Sequence, residues 1–199
     1  QAEDGIRDVE RSRGLGDVYK RQIYNQSLMA SMIANIGEEA AAQWAAGILK
    51  NMARPPKGSD RDQMKAVAAG IGDLAIVNTY YVGKLLTSPD SLARAVGQQM
   101  GIFFPNQEGR GTHINVSGAG VAKYAPNKSN AIKFIEFLSS SDAQETFSSS
   151  NFEYPVNPNA KISPLLQSWG TFKEDNLSLS SLGALNKSAV LLFDRVGWK

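Results

Sequence analysis

A chain of 199 residues, with 21 Lys and Arg against 19 Asp and Glu, a net charge of +2 and 42% hydrophobic residues, has room for one large domain or parts of two. No cysteine and a single histidine, His113, exclude a disulfide framework, thiolate zinc sites, iron–sulfur clusters and a thiol nucleophile, and argue against a His-rich metal site or a Ser-His-Asp triad. The charge is dispersed, with no basic cluster interleaved with aromatics as nucleic-acid binding requires, and no run reaches 18 apolar residues.

Residues 1–22 show neither a helical nor a strand period and lack the apolar stretch of a signal peptide. Codon by codon, they resemble a conceptual translation of sequencing-library adaptor DNA. They are therefore set aside from the fold, with no packing expected of Ile6, Val9, Leu15 or Val18, and a native N-terminus with any signal peptide is expected to lie outside this sequence.

From residue 23 to 52, Leu28, Met32, Ile33 and Ile36 recur on one face, and Ala41, Trp44, Ala45, Ile48 and Leu49 resume the stripe after Gly37. This predicts two helices broken at that glycine. Pro55, Pro56, Gly58 and Ser59 mark a loop, and Asp60 with Gln63 resembles a capping pair ahead of a helix through Met64, Val67 and Ala68 that ends at Gly70 or Gly72. Residues 74–77 form a short apolar run, the pattern of a strand buried on both faces. Asn78 and Thr79, both good N-cap types, then lead into a short helix at Tyr80 and Tyr81.

Residues 101–105 and 114–117 read as further strands. A helix from Asn127 or Ser129 offers Ile132, Phe134, Ile135 and Leu138 for burial, and another opens at Ser141 with Phe147 inside. A last helix over 184–196 offers Leu185, Val190, Leu191 and Phe193. Helices alternating with short strands give an α/β class with a mixed or largely parallel sheet.

The junction Asn78-Thr79-Tyr80-Tyr81 is the most informative feature. A strand that ends as a helix begins places its junction residues in the crevice at the carboxyl edge of a sheet, where open α/β proteins bind ligands. The helix N-terminus favours anions, phenolates included, and paired phenolates suit a hard, highly charged cation such as ferric iron. The competing reading is two amphipathic aromatics, one packed and one at the surface. Tyr24, with Asn25, Gln26 and Ser27, forms a second polar cluster at a helix start, which by itself reads better as an N-capped helix with a packed tyrosine. A lone His113 beside a strand is read as a hydrogen-bonding residue. Gly118-Ala119-Gly120 lacks the spacing of a dinucleotide fingerprint.

The segments YNQSLMASMI, AVAAGIGDLAIVNTYYVGKL, GTHINVSGAGVAKYAPNKSNAIKFIEFLSSSDAQ and NFEYPVNP resemble the periplasmic ferric-iron-binding proteins of bacterial iron-uptake ABC transporters. The likeness is strongest to the kind, common in cyanobacteria, that binds iron through several tyrosines without an anion partner. It implies a type II periplasmic-binding-protein fold, α/β, with two lobes joined by crossing strands and iron in the cleft.

On that likeness, Tyr24, Tyr80 and Tyr81 are metal ligands, and His113 is given no ligand role. Residues 23–110 are the second lobe, 111–160 a return segment belonging to the first lobe, and 161–199 the closing helices of the second. The front of the first lobe, with further His or Tyr ligands, would lie outside the sequence. The implied function is that of a monomeric extracytoplasmic solute-binding protein that takes up Fe(III) in the periplasm and passes it to an inner-membrane ABC permease, without catalysis and without nucleic acid. The nearest alternative is the same fold holding thiamine, a polyamine or a phosphonate. A more distant one is an enzyme on a related two-lobed fold.

Overall fold

A computed structural model describes Gly14–Leu15, residues 23–55 and residues 57–198. In chain order the elements are β1 (Gly14–Leu15), α1 (Ile23–Ile36), α2 (Glu38–Asn51), α3 (Asp60–Ala68), β2 (Leu74–Ala75), α4 (Thr79–Leu86), α5 (Ser91–Gln98), α6 (Lys128–Leu138), α7 (Ser141–Ser150), α8 (Pro164–Ser168) and α9 (Leu179–Val196).

Two apolar clusters organise these elements. In the first, α1 supplies Met29, Ala30 and Ile33, α2 supplies Ala41, Ala42 and Ala45, and α9 supplies Ala189, Leu192 and Phe193. The alanines let the helix backbones approach closely. The expected break is at Gly37, where φ is 82°, a conformation that costs glycine little and other residues more. At the far end Gly197 takes a left-handed conformation and the Trp198 N–H donates to the Phe193 carbonyl (2.9 Å). That cap folds Trp198 back edge-on to Phe193, with ring centroids 5.3 Å apart.

In the second cluster, Met64 of α3 meets Val82 and Leu85 of α4, with Tyr81, Val96 and Trp169 packed at its margin. The α3 N-terminus is capped one residue earlier than the sequence suggested. Ser59 donates both its backbone N–H (2.7 Å) and its hydroxyl (2.9 Å) to Asp62, so Ser59 and Asp62 replace the expected Asp60 and Gln63 pair. These bonds, the backbone one foremost, hold the Asp62 carboxyl below its usual range. Asp60 is left to turn inward, where it is 2% exposed.

A third tie joins distant parts of the chain. Thr112 bridges Glu174 in parallel sense, donating its N–H to the Lys173 carbonyl (2.8 Å) and accepting the Asp175 N–H (2.8 Å). The Asp175 carboxylate in turn accepts bonds from Ser31 (2.9 Å) and Asn35 (2.8 Å) of α1.

Several expectations are corrected. Residues 74–77 yield only the two-residue β2, and Leu74 is 49% exposed instead of buried on both faces, so the described residues cover at most one face of that strand. Residues 101–105 and 114–117 form no strand, since a strand needs a partner backbone and these runs have none within the described residues; Phe103 is 85% exposed. The helix at 128–138 forms, but none of its residues is buried, and Phe147 of α7 is also exposed. In α9, which begins at Leu179, Leu192 and Phe193 are buried while Leu191 faces outward.

Within residues 1–22, Gly14–Leu15 pairs in parallel with Leu74–Ala75, contrary to the expectation of a segment without structural role. Backbone pairing to an unfilled strand edge requires no particular side chains. The rest of that segment, including Ile6, Val9 and Val18, lies outside the described residues.

Candidate metal centre

Tyr24 is the second residue of α1, held by the first cluster, and Tyr80 and Tyr81 open α4, held by the second. The fold brings all three together. The Tyr80 phenol is within hydrogen-bonding reach of the phenols of both Tyr81 and Tyr24. The Tyr80 and Tyr81 ring centroids lie 4.1 Å apart with planes tilted by 32°. All three tyrosines are half-buried.

Burial, followed by the hydrogen bonds from Tyr81 and Tyr24, raises the Tyr80 phenol well above its ordinary value. A phenol shifted in this direction keeps its proton at neutral pH unless a bound cation displaces it. Cations stand over the pair: the Lys84 ammonium is 4.8 Å from the Tyr80 ring centre and 6.0 Å from that of Tyr81, and the Arg61 guanidinium is 5.9 Å from the Tyr81 ring. No group of three or more His, Asp and Glu is placed to hold a metal among the described residues, so phenol oxygens are the concentrated donor set.

His113 is occupied elsewhere, its Nε2 lying 3.2 Å from the Ser27 hydroxyl and 3.3 Å from Asn115 Oδ1. Sequence reasoning missed the supports of the tyrosine helix. Asn78 sits at the N-cap position, but its side chain does not cap; its backbone N–H and side-chain Nδ2 donate to Asp60, and its side-chain Oδ1 accepts from Asn115. Gly83, on the same helix, lies against Phe152, which has a φ of 61°. A glycine inside the run TYYVGKLL was the signal available, since such a residue marks close approach.

A Cβ at position 83 would come within 2.6 Å of Phe152 Cδ2. Gly83→Ala is expected to cost about 1–3 kcal/mol through overpacking, read as a lowered urea midpoint. An unchanged midpoint would mean that Phe152 does not brace this helix.

Residues 17–174 match the family described as bacterial extracellular solute-binding proteins. Over 176 residues the chain is 48% identical to "Iron uptake protein A1" of Synechocystis sp., covering 88% of this chain and 49% of that protein. Among solved structures it superposes on the Trichodesmium protein IdiA (FutA), in complex with iron and citrate ligands, with a TM-score of 0.89 at 48% identity, covering 98% of this chain and 62% of that one. It also superposes on a ferric binding protein from Campylobacter jejuni with a TM-score of 0.91 at 39% identity, covering 98% and 62%. The chain thus spans about half the length of the curated relatives it matches.

Proposed function

From the premise that this chain belongs to the bacterial extracellular solute-binding proteins and has their type II periplasmic-binding-protein fold, we propose that it is part of a ferric-iron carrier, with Tyr24, Tyr80 and Tyr81 as metal ligands. The observation that carries this reading is the meeting of three phenols from two separately packed helices, in a chain whose relatives are named for iron uptake. Three phenolates balance a ferric ion's charge, and that charge is what makes deprotonating a buried phenol feasible. A singly charged thiamine, a polyamine whose charge is spread over separate ammonium groups and an anionic phosphonate offer no such concentrated Lewis-acid charge, which weighs against them as cargo.

In this reading the ion is cargo. It is captured outside the cytoplasmic membrane, in the periplasm, and handed to an inner-membrane ABC permease by a monomeric protein without catalysis. Residues 23–110 and 161–199 belong to one lobe and 111–160 to a return segment of the other, with residues 1–22 adaptor-derived. Ferric iron takes five or six ligands, so with three phenolates the remaining positions fall to water or buffer. A polypeptide extended to the length of its relatives is expected to hold iron more tightly than this 199-residue chain.

Because Tyr80 is protonated when free, metal uptake displaces protons and affinity falls as pH falls. Adding a ferric complex of known proton content to weakly buffered protein should release protons on binding, about one fewer per ion in the Tyr80→Phe variant. Binding without proton release would refute phenolate ligation.

A further inference from the structure

We propose that Asn78, Asn115 and His113 form a directional hydrogen-bond relay, anchored on buried Asp60, that sets the spacing between Tyr24 and the Tyr80–Tyr81 pair. Its consequence for metal rests on the ferric-binding reading above. Its geometry stands without it.

The direction follows from the anchor. The Asp60 carboxylate accepts the Asn78 backbone N–H at 2.9 Å and the Asn78 side-chain Nδ2 at 3.2 Å. A carboxylate has no hydrogen to give, so the Asn78 amide nitrogen must face it and the Asn78 oxygen must face away. That oxygen accepts from Asn115 Nδ2 at 2.9 Å, which turns the Asn115 oxygen toward His113. His113 Nε2, 3.3 Å from that oxygen, must then be the donor, and the Ser27 hydroxyl at 3.2 Å shares the same N–H as an acceptor. One buried carboxylate thereby selects the Nε2–H tautomer three side chains away.

The endpoints explain what the relay does. Asn78 lies two residues before Tyr80, and Ser27 lies one helical turn after Tyr24 on the same helix. The two tyrosine-bearing helices belong to different apolar clusters, so packing within each cluster does not set the distance between them. The relay crosses from α3 and the start of α4 to α1 through the segment that follows the Thr112 bridge. The charged groups acting on His113 are Asp175 and Arg110; burial, the largest influence, holds it below its ordinary value, so at neutral pH it is an uncharged, single-proton donor.

The chain's single histidine makes the test direct, because its ring nitrogens are the only imidazole signals in an NMR spectrum. Nitrogen shifts should report a neutral ring protonated at Nε2; an Nδ1–H tautomer overturns the relay. In the metal-free chain, ring-to-ring NOEs between Tyr24 and Tyr80 should weaken in Asn115→Ala and His113→Leu and persist in His113→Gln, whose amide can still donate. NOEs that survive both disruptive variants overturn the proposal. Asn115 is exposed, so its variant remains informative if His113→Leu fails to fold.

Gallium(III), a diamagnetic probe of ferric sites, is then titrated by tyrosinate difference absorbance. The two disruptive variants should bind about 10–100-fold more weakly, as loss of outer-shell partners does, with His113→Gln close to the parent. Equal affinity throughout overturns the relay's role in binding. If the parent itself gives no tyrosinate signal, the ferric reading fails, while the tautomer and NOE results still decide the relay.

Discussion

Tyr80→Phe is expected to weaken or shift the visible band of the ferric complex and to weaken binding by about 100-fold or more. Phenolate-to-iron charge transfer is the source of the colour, and Tyr80 is the phenol that reaches both of the others. Loss of an outer-shell partner alone typically costs about 10–100-fold, so removal of a direct anionic donor sets a larger expectation. Phenylalanine keeps the ring against Tyr81 and beneath Lys84, and the hydrogen bonds given up are worth about 1 kcal/mol each, so the fold should survive. Tyr81→Phe and Tyr24→Phe should follow the same direction. A visible-absorbance ferric titration competed with citrate, on a polypeptide extended to the relatives' length, measures both colour and affinity. Identical spectra and affinities in the parent and all three variants would remove the tyrosines from the site.

Gly111→Ala should be the most destabilising small substitution outside the site, at about 3–5 kcal/mol. Gly111 has a φ of 96°, and strain in that region costs about 1–3 kcal/mol for a residue with a side chain. A Cβ there would also lie 2.6 Å from the Glu174 carbonyl carbon and 2.8 Å from the Lys173 oxygen, both backbone atoms that cannot rotate aside. The damage falls on the Thr112–Glu174 tie and, through Asp175, on Ser31 and Asn35 of α1. Gly170→Ala separates the two causes: its φ is 84°, yet a Cβ would meet nothing within 4 Å, so only the conformational cost of about 1–3 kcal/mol remains. Urea denaturation of both variants measures the difference. Equal midpoints would show that the backbone contact at Gly111 carries no weight.

The features legible from the residues are those that depend on near neighbours. The break at Gly37, the helix end near Gly70 and the start of a helix at Thr79 follow from backbone freedom and side-chain period within a turn or two. The ordered motifs around YNQS and NTYY carry the likeness to the family, which in turn implies the three tyrosines as candidates. Local chemistry could not say which side chain an N-cap asparagine would serve: Asn78 has the right identity to cap α4 but is drawn to Asp60, whose burial depends on how α3 packs.

Strands depend on tertiary context for the same reason. Apolar runs at 101–105 and 114–117 satisfy a pattern, but a strand exists only where another backbone completes its hydrogen bonds. The same limit applies to α6, whose apolar residues have the right period, yet none of them is fully buried among the described residues. Residue type and spacing in the sequence determined the helices, and the likeness of its ordered motifs to known proteins pointed to the family and the candidate phenols. Only the tertiary structure decided that Tyr24 meets Tyr80 across 56 residues, because no spacing rule encodes a contact between helices held in different apolar clusters.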